Sequence, residues 1–194
     1  MKLFAAPAAC SLTCHIAFRE AGLPFEIELN NWERVRELNP QGAVPVLQLE
    51  DGSVVTQNVA IVNYLAALAP QSSVLPSHGS REWVEALRWL SWVSSDPHPV
   101  LGRMFKVRDD EAQRSALAPA AERLLEVAEK HLSARPYLTG ERFSAADAYL
   151  FTVFGWSPIL KLDTAPYPAL RAHAARVAER PAVRAAMERE GLLG

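Results

Sequence analysis

The order in which short strands and helical stretches alternate before residue 70 constrains this chain more than any other feature. Lys2 to Ala5 is a short apolar strand. Ser11 to Ala21 sorts Leu12, His15, Ile16, Arg19 and Glu20 onto an inner and an outer face, and Gly22 is a helix stop. Phe25-Glu-Ile-Glu-Leu29 alternates as a strand does. Strand, helix and strand in that order favour a right-handed βαβ crossover. Val44 to Leu49 and Ser53 to Thr56, joined by Glu50-Asp51-Gly52, predict a hairpin through the Asp-Gly signal. Asn58 to Ala69 then predicts a helix with Ile61, Tyr64, Leu65 and Leu68 on one side.

That βαβ-ββα order is the one expected of an α/β thioredoxin-like domain over residues 1–70. Pro70 to Ser80 is polar and carries Pro, Ser and Gly, which marks 71–80 as a linker. Residues 81–194 then read as an all-helical domain, with Trp83, Leu87, Leu90 and Val93 on one inward stripe, Leu117, Leu124, Ala128 and Leu132 on another, and Ala148, Phe151 and Thr152 on a third. With 194 residues, 49% of them hydrophobic, the chain can bury a core without covalent staples. Its 20 Lys and Arg are scattered and the net charge is −2, so nothing favours nucleic acid as a partner. No apolar run approaches the ~20 residues that span a bilayer, and no charged leader precedes the first strand, so a cytoplasmic protein with no membrane partner is expected.

Cys10 stands where the first strand hands over to the first helix. A cysteine there faces unpaired backbone N–H groups and the positive end of the helix dipole, which lowers a thiol pKa from ~8.5 toward ~3.5–7.5 and favours the reactive thiolate. A small buried residue ahead of a helix looks the same in sequence, so position leaves both readings open. Cys14 follows one turn later on the same face. Neighbouring turns hold Cα atoms ~6 Å apart with nearly parallel Cβ vectors, whereas a disulfide brings Cβ atoms to ~3.8 Å. Cys14 is therefore expected to be a core thiol, and two cysteines make no four-ligand metal site.

Four further motifs carry candidate chemistry. Val44-Pro45 opens a strand, and both a strand-leading trans proline and a cis proline fit that place. Asn58 is predicted to cap the next helix, whose free N–H groups form an anion site suited to a carboxylate, while the Gln57 carbonyl can accept from an ammonium group. His98 lies between Pro97 and Pro99, so the helix should break near Asp96, and the histidine is either a hydrogen-bonded structural group or a functional one. Ser144-Ala-Ala-Asp147 is a capping box with a folding role. Met104, Phe105 and Trp156 read as core or as the lining of an apolar pocket.

The order and spacing of the Cys10-Ser11, Asn39-Pro-Gln-Gly-Ala-Val44-Pro45 and Thr56-Gln57-Asn58 segments resemble the N-terminal domain of glutathione transferases, most closely the bacterial beta class. The likeness continues through Trp89-Leu-Ser-Trp-Val-Ser-Ser95 and Leu138-Thr-Gly-Glu-Arg-Phe-Ser-Ala-Ala-Asp147. The resemblance implies that Cys10 joins glutathione in a mixed disulfide or interacts with its sulfur, with the Ser11 hydroxyl beside it. Ala5 and Ala6 stand where the class often has tyrosines. It further implies a cis Pro45 that turns the Val44 backbone toward the cysteinyl part of glutathione, a grip on the γ-glutamyl group by Gln57 and Asn58, and donation from His98 to the sulfur. Phe105 and Trp156 would line the hydrophobic pocket. Glutathione as co-substrate without a metal, a small electrophile as second substrate, a homodimer and a detoxifying role complete the expectation.

One segment departs from the class. Only eight residues, Asn31 to Leu38, separate the second strand from Asn39, where the class has a longer stretch whose lysine contacts the glycyl carboxylate. Trp32, Arg34 and Arg36 are the candidates for that contact, on a predicted single turn of helix. The first functional reading is a glutathione transferase. The rivals are a glutathione-dependent thiol-disulfide reductase acting through Cys10 and a non-catalytic protein that keeps the fold with weakened glutathione affinity.

Overall fold

A computed structural model describes residues 1–193. Strand β1 (Lys2–Ala5) pairs in parallel with β2 (Glu26–Leu29) and antiparallel with β3 (Val46–Gln48), which pairs with β4 (Val54–Thr56). The sheet order is β2-β1-β3-β4. Helix α1 (Leu12–Ala21) makes the βαβ crossover and Gly22 ends it in the left-handed conformation. Side chains alternate across the sheet as the pleat requires. Leu3, Ala5 and Leu47 join the main core with Phe18 of α1 and with Ile61 and Leu65 of α3 (Asn58–Leu68), whereas Phe4 and Val46 meet Val35 of α2 (Trp32–Leu38) on the opposite side.

Helix α2 spans seven residues, close to two turns where one was expected. The Asn31 side chain caps it by accepting from the Arg34 N–H at 3.0 Å, and buried Val35 ties it to the sheet. Cap and anchor together sustain a helix too short to hold by propensity alone.

The rest of the chain is helical: α4 (Arg81–Ser95), α5 (Pro97–Lys106), α6 (Glu111–Leu132), α7 (Ala145–Phe154), α8 (Pro168–Ala178) and α9 (Pro181–Arg189). The buried stripes are rotated slightly from those expected. Ala86, Trp89, Leu90 and Val93 are buried on α4, and Ala121, Leu125, Ala128 and Leu132 on α6. Trp83, Leu87, Leu117 and Leu124 sit at the margins.

Residues 71–80 contain neither helix nor strand, yet Val74 and Leu75 are buried and the Val74 carbonyl accepts from the Ala145 N–H at 2.8 Å. One apolar core runs from Leu3 through Leu90 to Leu170. Each large side chain buried in it contributes about 1.5–3 kcal/mol. A polar clamp adds to it: Glu20 at the end of α1 accepts from Arg180 at 2.6 and 2.8 Å and from the Ser73 hydroxyl at 2.6 Å.

The start of α7 is closed by the capping box that the sequence signals. The Asp147 carboxylate, fully buried, accepts from the Ser144 N–H at 2.8 Å, the Ser144 hydroxyl at 3.2 Å, the Leu138 N–H at 2.8 Å and a ring nitrogen of His173 at 2.9 Å. This start holds the fold together through a carboxylate with four donors.

Candidate active site

The loop between β1 and α1 is fixed from far along the chain. Ala8 has φ 57, a left-handed conformation that costs a non-glycine residue about 1–3 kcal/mol unless its surroundings impose it. Its carbonyl accepts from Trp156 Nε1 at 2.8 Å and its N–H donates to Glu190 Oε2 at 3.2 Å. Glu190 Oε1 lies 2.9 Å from His15 Nδ1, and Arg19 Nε donates to His15 Nε2 at 3.1 Å. An Nε2 that accepts leaves the ring hydrogen on Nδ1, where it is donated to Glu190. Ser11 closes the loop from within: its buried hydroxyl accepts from the Ala6 N–H at 3.1 Å and donates to the Ala6 carbonyl at 3.3 Å. Ser11 was expected as a hydroxyl available beside Cys10. Both of its hydrogen-bonding functions are instead taken up by Ala6, so its role is structural.

Cys10 lies half-buried just before α1 and its thiol donates to the Val44 carbonyl at 3.4 Å. Burial pushes its pKa up, while the Asn58 side chain and the backbone N–H groups of Cys10 and Ser11 pull it down. Burial wins, which corrects the expectation of a depressed pKa: the helix start does act on the sulfur, but desolvation of the thiolate outweighs it. Cys14 is a core thiol as expected. It is fully buried, donates to Asn58 Oδ1 at 3.1 Å, and burial holds its pKa well above the ordinary value.

The Val44-Pro45 peptide is cis, and β3 begins only after it, at Val46. Asn39 shapes the approach by donating from Nδ2 to the Ala43 carbonyl at 2.8 Å and accepting from the Gln41 N–H at 3.1 Å. Across from Val44, helix α3 starts with Gln57 at the cap position, φ 73, exposed, and without a side-chain cap. Asn58 was expected to be that cap. It is the first helical residue instead, and its buried amide turns inward to Cys14 and Cys10. The uncapped first turn of α3 keeps N–H groups without side-chain acceptors beside Gln57.

The helix does break at Asp96, with Pro97 and His98 opening α5, where a proline loses no helical hydrogen bond. His98 Nδ1 lies 2.7 Å from the Tyr149 hydroxyl, and its ring stands 5.4 Å from that of Trp156. Burial lowers the His98 pKa, which keeps the ring neutral near pH 7. Burial raises that of Tyr149, with the nearby Cys10 adding to it. Phe105 meets Trp156 edge to face at 5.4 Å, so the two expected pocket residues do come together, whereas Met104 is core. Tyr149 escaped the sequence reading because it sits inside an apolar helix. The signal for it was its hydroxyl, since a buried tyrosine must find a partner.

The candidates on α2 are dispersed. Arg34 pairs with Glu37 at 2.7 Å and Trp32 lies exposed at the helix start. Only Arg36 leans toward the loop before Val44, its Cγ 3.3 Å from where a Cβ on Gly42 would sit. Among the described residues no group of three or more His, Cys, Asp and Glu side chains converges as a metal site would, and no helix is long and apolar enough to cross a membrane. A cavity of about 920 Å³ lies away from Cys10, between the 70–80 segment, Tyr137, Phe143 and Arg180.

Sequence and structure comparisons converge on one family. The family model described as "Glutathione S-transferase, N-terminal domain" matches residues 8–68, and "Glutathione S-transferase, C-terminal domain" matches 84–181. Glutathione S-transferase GstA of Escherichia coli O157:H7 is 34% identical over 200 residues, covering 99% of this chain and 100% of that one. A sphingomonad glutathione S-transferase solved in complex with glutathione superimposes with a TM-score of 0.92 at 38% identity, over 99% of this chain and 100% of its own. The bacterial beta-class glutathione S-transferase of Sphingomonas chungbukensis gives 0.92 at 34% identity over 100% of both chains.

Proposed function

Because the chain belongs to the glutathione S-transferase family, with bacterial beta-class proteins among its relatives, we propose that it transfers the glutathione thiolate to small hydrophobic electrophiles. The observation that carries this reading is the position of the Cys10 thiol, 3.4 Å from the carbonyl of the residue before a cis proline. A glutathione cysteinyl unit paired antiparallel with Val44 would take that carbonyl for its own N–H and set its sulfur beside Cys10. Cys10, held protonated by burial, then donates to the ligand sulfur, as do the N–H groups that already face it. Each such donor stabilises the thiolate over the thiol.

The γ-glutamyl end fits the start of α3: the exposed Gln57 amide receives the ammonium through its oxygen, and the uncapped N–H groups receive the carboxylate. Arg36 is the best placed of the three α2 candidates for the glycyl carboxylate, because Arg34 is engaged with Glu37. Phe105 and Trp156 offer an apolar wall to the electrophile. In the reaction with a chlorinated aromatic acceptor the thiol proton leaves to solvent, the sulfur–carbon bond forms and the carbon–chlorine bond breaks, with chloride taking the electron pair. The expected assembly is a homodimer.

A protonated Cys10 favours conjugation over disulfide reduction, because reduction needs the protein sulfur as a thiolate nucleophile. The decisive experiment measures glutathione-dependent conjugation of a chlorinated nitroaromatic by the parent and by Cys10→Ala. Turnover by the parent that survives in part in the variant is the expected result. Glutathione binding without turnover, or loss of conjugation together with disulfide reduction in the variant, would sink it.

A further inference from the structure

His98 is half-buried and holds one hydrogen bond, from Nδ1 to the Tyr149 hydroxyl at 2.7 Å. Its Nε2 has no partner among the described residues, and it is not among the buried atoms left unsatisfied, so it opens onto solvent. The direction of the Nδ1 bond follows from the burial of Tyr149. That residue is 1% exposed, and among the described residues its hydroxyl has no hydrogen-bond partner other than His98 Nδ1. A buried phenol hydrogen with one acceptor in reach is donated to that acceptor. Nδ1 therefore accepts, and a neutral ring must carry its hydrogen on Nε2. The Trp156 ring at 5.4 Å braces the imidazole, and Trp156 is itself fixed through Nε1 to the Ala8 carbonyl in the Cys10 loop.

We propose that Tyr149 is a positioning residue, which by donating to Nδ1 locks His98 with its hydrogen on Nε2 and so presents that nitrogen as a hydrogen-bond donor to the sulfur of bound glutathione. The proposal rests on the transferase reading for its consequence, although the locked ring itself does not depend on it. Sequence gives no hint of the pair, because 51 residues separate the two side chains.

Two measurements test it. Nitrogen-15 NMR of the ligand-free parent, with His98 assigned by its loss in His98→Ala, should show Nδ1 as the bare nitrogen and Nε2 as the protonated one. A ring protonated on Nδ1 would overturn the proposal without any variant having to fold. Steady-state kinetics then read the consequence: Tyr149→Phe should lower kcat about tenfold, the effect of one lost hydrogen bond, with KM for glutathione little changed. In a His98→Ala background the same substitution should cost nothing further, since its effect runs through the imidazole. Equal losses in both backgrounds would make Tyr149 an independent structural residue. A parent that shows the Nε2–H ring but no conjugation would refute the transferase reading and leave the locked ring standing.

Discussion

Helices α3 and α7 both begin beside the core and are finished in opposite ways. The α7 start is closed: Ser144 and Asp147 form a capping box, and Asp147 also gathers Leu138 and His173. The α3 start is open, with an exposed glutamine at the cap position in a left-handed backbone and no side chain accepting from its first turn. Unpaired N–H groups at a helix start are satisfied by side chains, water or ligand. Where the chain supplies the acceptor the helix start serves stability, and where it withholds one the start is left to water or to the ligand proposed for it. The two ends teach that the residue placed at a cap decides which of the two a helix does.

The comparison breaks first at Asp147. Asp147→Ala leaves two backbone N–H groups and His173 without their buried acceptor. Breaking a buried network of this kind costs about 3–5 kcal/mol, and the melting temperature should fall on the order of 10 °C while the activity of the folded fraction is kept. A shift of less than ~2 °C would mean that the closed start holds nothing. The open start should answer in reverse. Gln57→Ala should leave the melting temperature within error and raise KM for glutathione roughly 5- to 30-fold, the loss of one hydrogen bond to a charged group. A stability loss in Gln57→Ala with unchanged KM would erase the distinction.

The smallest effect sharpens the comparison at a third helix start, that of α1. Its N-cap Ser11 makes no side-chain capping bond, but the Leu12 and Thr13 N–H groups donate to the Ala9 and Cys10 carbonyls at 3.0 and 3.2 Å, so this start is closed by backbone, and Cys10 beside it is half-buried. A thiol whose pKa is raised is protonated at neutral pH, and its thiolate appears only as the pH climbs past the ordinary thiol range. Iodoacetamide alkylation of Cys10 should therefore have a midpoint above ~8.5, with Cys14 slower still. A Cys10 midpoint below ~8 would show that the field of the helix start outweighs desolvation.

What the sequence disclosed is what local chemistry dictates. The Asp-Gly hairpin, the break at Asp96 and the Ser144–Asp147 box were readable because each depends on residues within a few positions of one another. The helix at Asn58 was placed correctly but its cap was not. Asparagine is the better capping residue by propensity, yet here its amide is drawn into the core by Cys14, and Gln57 takes the cap position in a conformation that propensity disfavours. The length of α2 was misjudged because its anchor, Val35, is held by the sheet and not by its neighbours in sequence. Tyr149 against His98 and Glu190 against His15 were invisible for the same reason. Both pairs are made by packing between helices far apart in the chain, and no spacing rule connects them.

The bonds that fix Ala8 have a consequence for the order of biosynthesis. Ala8 is held by Trp156 and Glu190, which lie 148 and 182 residues further along the chain. While the ribosome is still translating, strand, helix and cysteine can form behind it, but the loop that presents the cysteine lacks both of its clamps. At ~5–20 residues per second, roughly 10–40 s pass between the emergence of Ala8 and that of Glu190. The thiol region is thus made well before the residues that give it its working shape, so a nascent chain carries the reactive group well before it carries the site.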